Sequence, residues 1–250
     1  MLTKRIIACL DMKGGKVVKG TRFKRLKIVG DPIVLAEKYY RDGADELCFL
    51  DISASIEKRK TRVELVRKIA EKIRIPFTVG GGIKSVEEIS GLLRAGADKI
   101  ALCTQAILDP GLIIEASRKF GSQCIVVSID AKKTEYNYEA YIYGGKKRTG
   151  LDAVLFAKQC ELFGAGELLV NSIDRDGTQE GYDLELLRNI SGCVKIPVIA
   201  SSGAGNPSTI FDALEKGKAD AALVASILHN SEYNIQDIKK YLKKNKVNVR

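Results

Sequence analysis

The chain has 250 residues, of which 45% are hydrophobic and 29% charged, and its formal net charge is +10. This is the composition of a globular protein that can bury a full core, so disorder, collagen-like repetition and low complexity are excluded. No apolar stretch approaches the ~18 residues that would span a membrane, and the run at residues 6–10 is too short for a signal peptide. Lysine and arginine are spread along the chain, which favours attraction of an anionic substrate or an acidic partner over nucleic-acid binding.

The cysteines and the single histidine limit the chemistry that the chain can perform. Six cysteines lie 21 to 55 residues apart without a CxxC pair, so we expect reduced, mostly buried thiols in a cytoplasmic protein. Because His229 is the only histidine, a Ser-His-Asp triad is disfavoured and a multi-histidine metal site is impossible. We therefore expect no metal site.

Short runs rich in β-branched residues recur along the chain, and a loop and a helical pattern follow each of them. Eight runs are predicted strands, at residues 5–10, 46–50, 75–79, 98–102, 123–129, 167–170, 196–200 and 220–224. Helix N-terminal signals stand at Asp31-Pro32, Ser85 with Glu88, Asp109-Pro110 and Asn206-Pro207. The apolar residues of the segment 62–74 fall on one helical face, whereas residues 136–143 alternate as an extra hairpin would.

Eight strand–helix units in this length match a (β/α)8 barrel, which we predict as a single domain over residues 1–250. The alternative is a doubly wound sheet, which normally has a glycine-rich dinucleotide loop after its first strand. Residues 11–15 (DMKGG) do not match GxGxxG, and no Pro/Ser-rich linker divides the chain. The barrel is therefore the favoured fold.

The two halves of the chain resemble each other at an offset of 121 to 122 residues. Residues 46–51 recur at 167–172, residues 75–82 at 196–203, and residues 97–99 at 219–221. The first strand leads into Asp11, and its counterpart leads into Asp130 at an offset of 119. The sequence therefore predicts a barrel built from two similar four-stranded half-barrels.

Active sites of such barrels lie at the carboxyl ends of the strands, where the repeat places paired groups. Asp11 and Asp130 lie there on opposite sides of the mouth, together with small-residue turns at residues 80–82 and 201–205. Backbone N–H groups in such turns can reach an anion, and Thr104 and Ser226, which end the fourth and eighth predicted strands, can each donate a hydroxyl. The duplication predicts two phosphate sites flanking two carboxylates, and hence a long bisphosphate substrate.

Nine sequence motifs are distributed over the whole chain. They are residues 5–11 (RIIACLD), 17–20 (VVKG), 30–32 (GDP), 49–55 (FLDISAS), 79–83 (VGGGI), 121–123 (GSQ), 129–132 (IDAK), 172–178 (SIDRDGT) and 247–250 (VNVR). Together they resemble the cyclase subunit of imidazole glycerol phosphate synthase. The resemblance implies a lyase of histidine biosynthesis that needs no metal or cofactor. Ammonia from a partner glutaminase would convert a ribulosyl aminoimidazole carboxamide bisphosphate into imidazole glycerol phosphate and aminoimidazole carboxamide ribotide.

The resemblance also implies roles for individual residues. Asp11 and Asp130 match the general acid/base pair, and Lys19 matches a lysine on the mobile first loop, which closes over the substrate. The positions implied to bind substrate and phosphate are Lys19, Gly81, Gly82, Thr104, Asp176, Gly177, Ser202, Gly203 and Ser226. Two carboxylates on opposite sides can alternate as acid and base while ammonia adds, water leaves and the imidazole closes.

A charged ring at the opposite end of the barrel, where ammonia enters from the glutaminase, is also implied. The matching positions start strands, two in each half, with alternating sign: Arg5, Glu46, Lys99 and Glu167. Asp98 matches a family residue that contacts the glutaminase, so the expected assembly is a heterodimer. Salt bridges that close the barrel floor would explain the same residues, and both explanations can hold.

Four positions depart from the family pattern. Cys103 replaces a usual asparagine, Gly144 a frequent serine, Asn171 a common threonine, and Ser202 interrupts the glycine pair of the second turn. Ser202 can still donate through its N–H and hydroxyl groups, so we expect phosphate binding to survive.

The same residues also bear on three other functions. Asn171, with residues 22–24 and 29–32, is shared with a paralogous group that supplies ammonia for amidino modification of surface sugars. Asp11, Lys19 and the intact turn at residues 80–82 favour histidine biosynthesis over this alternative. The motif at residues 171–178 and the charged ring argue against a related sugar isomerase. The filled acid/base positions argue against a non-catalytic anion-binding barrel.

Overall fold

Parallel strands close into a barrel in the computed structural model, which describes residues 3–21, 24–52, 54 and 63–250. The strands of this part are β1 (Arg5–Lys13), β2 (Lys16–Thr21), β3 (Lys24–Gly30), β4 (Glu46–Asp51), β5 (Phe77–Gly80), β6 (Lys99–Leu102), β7 (Ile125–Lys133), β8 (Tyr138–Ile142), β9 (Lys147–Asp152), β10 (Glu167–Ser172), β11 (Val198–Ser201) and β12 (Ala221–Val224). Eight of them form the ring β1-β4-β5-β6-β7-β10-β11-β12, and β12 pairs with β1 to close it. The predicted barrel is confirmed, and all eight predicted strands are present with bounds shifted by up to four residues.

An antiparallel hairpin follows the first barrel strand of each half. β2 and β3 extend from β1, and β8 and β9 extend from β7, so both first strands run on beyond the ring. The alternation at residues 136–143 correctly predicted the second hairpin, but the first was not predicted. Its strands carry lysines on both faces, which hides the apolar alternation that marks a half-buried strand.

Helices cover the outside of the barrel. Those in the described part are α1 (Pro32–Arg41), α2 (Val63–Ala70), α3 (Val86–Arg94), α4 (Thr104–Leu108), α5 (Gly111–Phe120), α6 (Ala153–Leu162), α7 (Leu184–Ser191), α8 (Pro207–Glu215), α9 (Ser226–His229) and α10 (Ile235–Lys244). No helix among these is both long enough and apolar enough to cross a bilayer. Arg22, Phe23, Ser53 and Ser55, which belong to motifs named above, lie outside the described residues.

The helix starts agree with the N-terminal signals at three of four places. Asp31, Ser85 and Asn206 each accept backbone N–H bonds from the first turn of α1, α3 and α8. The prediction at Asp109 is wrong, because α5 begins at Gly111 after Pro110 and no side chain caps it. The reciprocal capping box is found at Asn206, where Thr209 returns the bond to the cap, whereas Glu88 accepts from the N–H of Lys84.

Strand periodicity divides the core into two layers. Ile6, Ala8 and Leu10 of β1 point outward into the large cluster beneath the helices, whereas Ile7 and Cys9 point into the barrel. Within the described residues, the hydrophobic cluster of the barrel interior has ten buried members: Ile7, Cys9, Cys48, Ala101, Val126, Leu169, Ile199, Ala221, Leu223 and Ala225. Because the period is two, every second residue of a strand points into the barrel along the whole length of that strand. It therefore puts Arg5 at the amino end and Asp11 at the carboxyl end.

Candidate active site

A cavity of about 610 Å³ opens at the carboxyl ends of the barrel strands. Ten residues predicted for this end line it: Asp11, Lys19, Gly81, Thr104, Asp130, Asp176, Gly177, Ser202, Gly203 and Ser226. The predicted residue Gly82 lies in the same turn as Gly81 but does not line the cavity. The lining also includes residues that the sequence analysis did not assign to the site, among them Lys13, Cys103, Ser128, Lys146 and Asn171. The sequence does mark Cys103 and Asn171 as candidates for this site, because both depart from the family pattern and both stand at strand ends.

Asp11 lies between a thiol and an ammonium group. The Cys9 Sγ–H donates to Asp11 Oδ1 at 3.2 Å, and Lys19 Nζ lies 3.2 Å from Asp11 Oδ2 and 3.1 Å from Asp176 Oδ1. Contact with Cys48 and burial raise the pKa of the Cys9 thiol, which keeps its proton. Burial opposes the charge of Lys19, but the two carboxylates outweigh burial and raise the pKa of its ammonium. Lys19 is therefore a fixed cation that joins Asp11 to Asp176.

Asp130 has neutral partners instead. Asn171 Nδ2 donates to Asp130 Oδ1 at 2.9 Å, and the Cys103 Sγ–H approaches Asp130 Oδ2 at 3.7 Å. Asp130 is only 6% exposed. Burial raises the pKa of its carboxyl group to about 6, against the hydrogen bonds from Asn171 and Cys103, which lower it. Asp130 can therefore take up and release a proton close to neutral pH.

Both small-residue turns have positive φ at two successive residues. Gly81 and Gly82 after β5 have φ of 111° and 69°, and Ser202 and Gly203 after β11 have φ of 73° and 101°. A Cβ on Gly81 would collide with the backbone oxygen of Asp51, so a side chain is excluded there. Ser202 carries its side chain at a smaller φ than that of Gly81. The serine departure therefore keeps the positive sign of φ but not the same backbone angle.

Thr104 and Ser226 do not end barrel strands, as the sequence predicted, but begin short helices. Cys103 lies between β6 and α4, and Ala225 lies between β12 and α9. β6 ends at Leu102 and β12 ends at Val224, so one residue separates each strand from the helix that follows it. Thr104 Oγ1 accepts the backbone N–H of Tyr143 at 3.0 Å, which leaves the Thr104 O–H free to donate into the cavity.

The charged residues at the amino end form a continuous ring. Arg5 bonds Glu46 at 2.9 Å and Glu167 at 2.5 Å, and Lys99 bonds Glu46 at 3.0 Å and Glu167 at 2.7 Å. Thr78 also donates to Glu46 at 2.7 Å. The prediction of two charges in each half is wrong, because Arg5, Glu46 and Lys99 belong to the first half and only Glu167 to the second.

Asp98 lies beside this ring and is exposed. Its Oδ2 accepts the backbone N–H of Phe77 at 2.8 Å, and Asp220 makes the same bond with Val198 at 3.0 Å in the second half. The shared bond is a structural feature of the repeat. It leaves the other carboxylate oxygen of Asp98 available to a partner. In the described part of the chain, no cluster of three or more His, Cys, Asp or Glu side chains could hold a metal ion.

Fold and cavity together define the class of this protein. It is a (β/α)8 barrel with paired carboxylates and paired small-residue turns at the carboxyl end of its strands. Residues 5–234 match the family described as histidine biosynthesis protein. The chain belongs to that family, which confirms the resemblance.

Curated relatives match the chain over its whole length. The imidazole glycerol phosphate synthase subunit HisF of Methanocaldococcus jannaschii is 54% identical, covering 96% of this chain and 96% of the relative. The subunit of the same name from Dehalococcoides mccartyi is 54% identical, covering 100% of this chain and 99% of the relative. The one from Methanococcus maripaludis is 51% identical and covers both chains fully.

Proposed function

We propose that this chain is the cyclase subunit of an imidazole glycerol phosphate synthase, acting as one barrel domain over residues 1–250. It would use ammonia to convert the ribulosyl aminoimidazole carboxamide bisphosphate into imidazole glycerol phosphate and aminoimidazole carboxamide ribotide. The observation that carries the proposal is the pair Asp11 and Asp130, which face one cavity from equivalent strands. Full-length relatives above 50% identity bear the name of this synthase subunit and support the same assignment.

The two carboxylates are proposed to move the protons of the reaction. Ammonia must attack a ketone, an imine must lose water, and a C–N bond must break as the imidazole closes. Each step needs a proton donor or acceptor, and groups on opposite sides of the substrate can alternate in these roles. The pKa of about 6 suits Asp130 to both roles near neutral pH. Asp11 keeps its position through Lys19 and the Cys9 thiol.

The paired turns are proposed to hold the two phosphates. Gly81, Gly82 and Thr104 would bind one, and Ser202, Gly203 and Ser226 would bind the other, with backbone N–H and hydroxyl groups as donors. Asp176 and Gly177 belong to the same cavity and would contact the substrate. Lys19 is held by Asp11 and Asp176 in the free chain, so an anionic substrate would compete for its ammonium. This competition would couple substrate binding to movement of the hairpin formed by β2 and β3.

A glutaminase is proposed to dock at the amino end of the barrel. The ring of Arg5, Glu46, Lys99 and Glu167 closes that end, and exposed Asp98 lies beside it. Small buried residues such as Cys48, Ala101 and Ala221 fill the interior between the ring and the cavity. Ammonia released by the partner would pass the ring and reach the carboxylates without entering bulk water.

Turnover with free ammonium tests the proposed reaction. The purified chain, given an ammonium salt and the bisphosphate substrate, should consume the substrate and yield imidazole glycerol phosphate. The double variant Asp11→Asn/Asp130→Asn is the matched control and should be inactive. A wild-type chain that leaves the bisphosphate unchanged while it remains folded contradicts the proposal.

The proposed ammonia route is tested by a split between two nitrogen sources. Lys99→Ala opens the ring, so glutamine-dependent turnover with the cognate glutaminase should fall while turnover with free ammonium stays close to wild type. Arg67→Ala is the control, because Arg67 forms an exposed pair with Glu64 within α2, on the outside of the barrel. Equal effects of Lys99→Ala on both activities would contradict a gate at this position.

A further inference from the structure

Asp130 is held from one side by a side chain for which the established family assignment gives no role. Asn171 of β10 lies opposite Asp130 of β7 in the parallel register of these two neighbouring strands. Asn171 Nδ2 lies 2.9 Å from Asp130 Oδ1 and 3.0 Å from Ser128 Oγ. Asn171 is 8% exposed and Ser128 5% exposed, so water does not replace these bonds readily.

The orientation of the Asn171 amide follows from its two partners. An amide nitrogen carries two hydrogens, and both are used here, one toward Ser128 Oγ and one toward Asp130 Oδ1. The flipped amide would set its oxygen against the carboxylate of Asp130, which is repulsive in a buried site. The side chain is therefore locked with its donor facing the carboxylate.

Among the residues that the structure describes, no other strong donor is seen on this carboxylate. Cys103 supplies the contact to Asp130 Oδ2, but a thiol is a weak donor and its distance is 3.7 Å. Burial and the charge of Asp130 raise the pKa of the Cys103 thiol, so it remains protonated. Asn171 is thus the stronger of the two neutral contacts that hold Asp130.

The first half of the barrel has no equivalent of this amide. The register of β1 and β4 pairs Asp11 with Leu50, as the register of β7 and β10 pairs Asp130 with Asn171. Leu50 cannot donate a hydrogen bond. Asp11 is held instead by the cation of Lys19. The amide at position 171 is therefore not a requirement of the barrel fold, because the same strand position accepts an apolar side chain in the other half.

We infer that Asn171 is a positioning residue for Asp130, which it orients toward the substrate and whose charged form it favours through one neutral hydrogen bond. The inference rests on the proposed function, in which Asp130 is an acid/base group. It also explains why the weak donor Cys103 is tolerated at a position where the family usually has an asparagine. One amide beside Asp130 is sufficient, and in this chain it comes from β10 rather than from the loop after β6.

The direct test measures the carboxyl group without the reaction. Aspartate labelled with ¹³C at the carboxyl carbon reports each titration, and the signal missing in Asp130→Asn identifies Asp130. Asn171→Leu removes the donor and keeps the branched outline and the number of side-chain heavy atoms. The pKa of Asp130 should therefore rise by about one unit or more, since a hydrogen bond to a charged group contributes on that order. Asn234→Ala removes the N-cap of α10, which does not line the cavity, and should leave the titration of Asp130 unchanged. An unchanged Asp130 titration in Asn171→Leu overturns the inference.

A second variant supplies an amide donor to the other carboxylate oxygen of Asp130. Cys103→Asn in the Asn171→Leu background offers a new donor to Asp130 Oδ2 and should return the pKa of Asp130 toward the wild-type value. The acid limb of kcat with free ammonium should follow the carboxyl titration in both variants, whereas KM for the bisphosphate should change less. If Asn171→Leu does not fold, Asn171→Ala, which admits water, gives the same comparison. If Cys103→Asn restores the stability of the Asn171→Leu chain but does not return the pKa of Asp130 toward the wild-type value, positioning by Asn171 is contradicted.

The proposed function and the positioning role of Asn171 can be overturned separately. A wild-type chain without turnover overturns the proposed function whatever the titration shows. A wild-type chain with turnover, together with an Asp130 titration and pH profile that ignore Asn171, overturns only the positioning role.

Discussion

Asp11 and Asp130 stand at equivalent positions of the two half-barrels, yet their carboxylates meet different kinds of partner. Asp11 contacts the ammonium of Lys19, which comes from the hairpin after β1, and the thiol of Cys9 from its own strand. Asp130 contacts the amide of Asn171 from the neighbouring strand and the thiol of Cys103. One carboxylate is thus paired with a full positive charge, and the other is buried among neutral donors.

The difference teaches that a repeated backbone register does not repeat the electrostatics of a site. The register fixes where each carboxylate lies, whereas its protonation depends on the side chains that reach it from other elements. Lys19 forms an ion pair with Asp11, whereas burial raises the pKa of Asp130 to about 6. The two halves therefore present carboxyl groups in different electrostatic surroundings to one substrate.

The largest effect expected from this comparison is the loss of either carboxylate. Asp11→Asn and Asp130→Asn should each lower ammonia-dependent turnover by roughly 10²–10⁴-fold, the usual contribution of general acid/base catalysis. Turnover with ammonium salt and circular dichroism of both variants give the measurement and the check on folding. Near-wild-type turnover in one variant would assign catalysis to the other half alone.

The pH dependence of kcat/KM should report the titration of Asp130. With a pKa of about 6, Asp130 loses its ionised form below that pH, so log(kcat/KM) should fall by about one per pH unit on the acid side. The pH profile of wild type and Asn171→Leu checks this, measured with the concentration of unprotonated ammonia held constant at every pH. A wild-type profile that stays flat between pH 7 and about pH 5 is the contrary result.

Stability should change in the opposite direction to activity at Asp130. Its pKa is raised from 3.8 to about 6 in the folded chain, so the contribution of this carboxyl to stability is full below about pH 4 and is lost as the pH rises through 6. Asparagine does not ionise, so Asp130→Asn removes that loss. The free energy of unfolding of the variant relative to wild type should therefore be greater at pH 8 than at pH 4 by on the order of 2–3 kcal/mol. Urea unfolding at both pH values measures it, with the surface variant Asp212→Asn as control. Identical changes at the two pH values would remove burial as the cause of the raised pKa.

The smallest expected effect concerns the two turns. Ser202 has φ of 73°, a conformation that costs a residue with a Cβ roughly 1 kcal/mol or more, so Ser202→Gly should stabilise slightly or leave stability unchanged. Gly81→Ser in the first half should destabilise clearly, because its Cβ would collide with the backbone oxygen of Asp51. Thermal unfolding of both variants measures the difference. Equal losses of thermal stability in the two variants would contradict the expected difference between the turns.

Much of the fold and of the site could be predicted from local patterns. Alternating strands and helices gave the barrel, and the repeat placed Asp11, Asp130 and the two turns at one end. The hairpin of β2 and β3 was missed because its lysines on both faces obscure the alternation of a half-buried strand. The cap at Asp109 was predicted wrongly, since proline after aspartate also occurs where a short loop separates two helices, as between α4 and α5.

The sequence by itself determined the number of units, their order and the end of the barrel at which the carboxylates lie. These follow from periodicity and repetition, which are local properties of the chain. Only the tertiary structure decided which side chain meets which carboxylate, because Lys19, Cys103 and Asn171 reach Asp11 and Asp130 from separate elements. Closure of the barrel brings these distant residues within hydrogen-bond distance, and burial then sets the pKa of Asp130. Neither closure nor burial is a property of any short stretch of sequence.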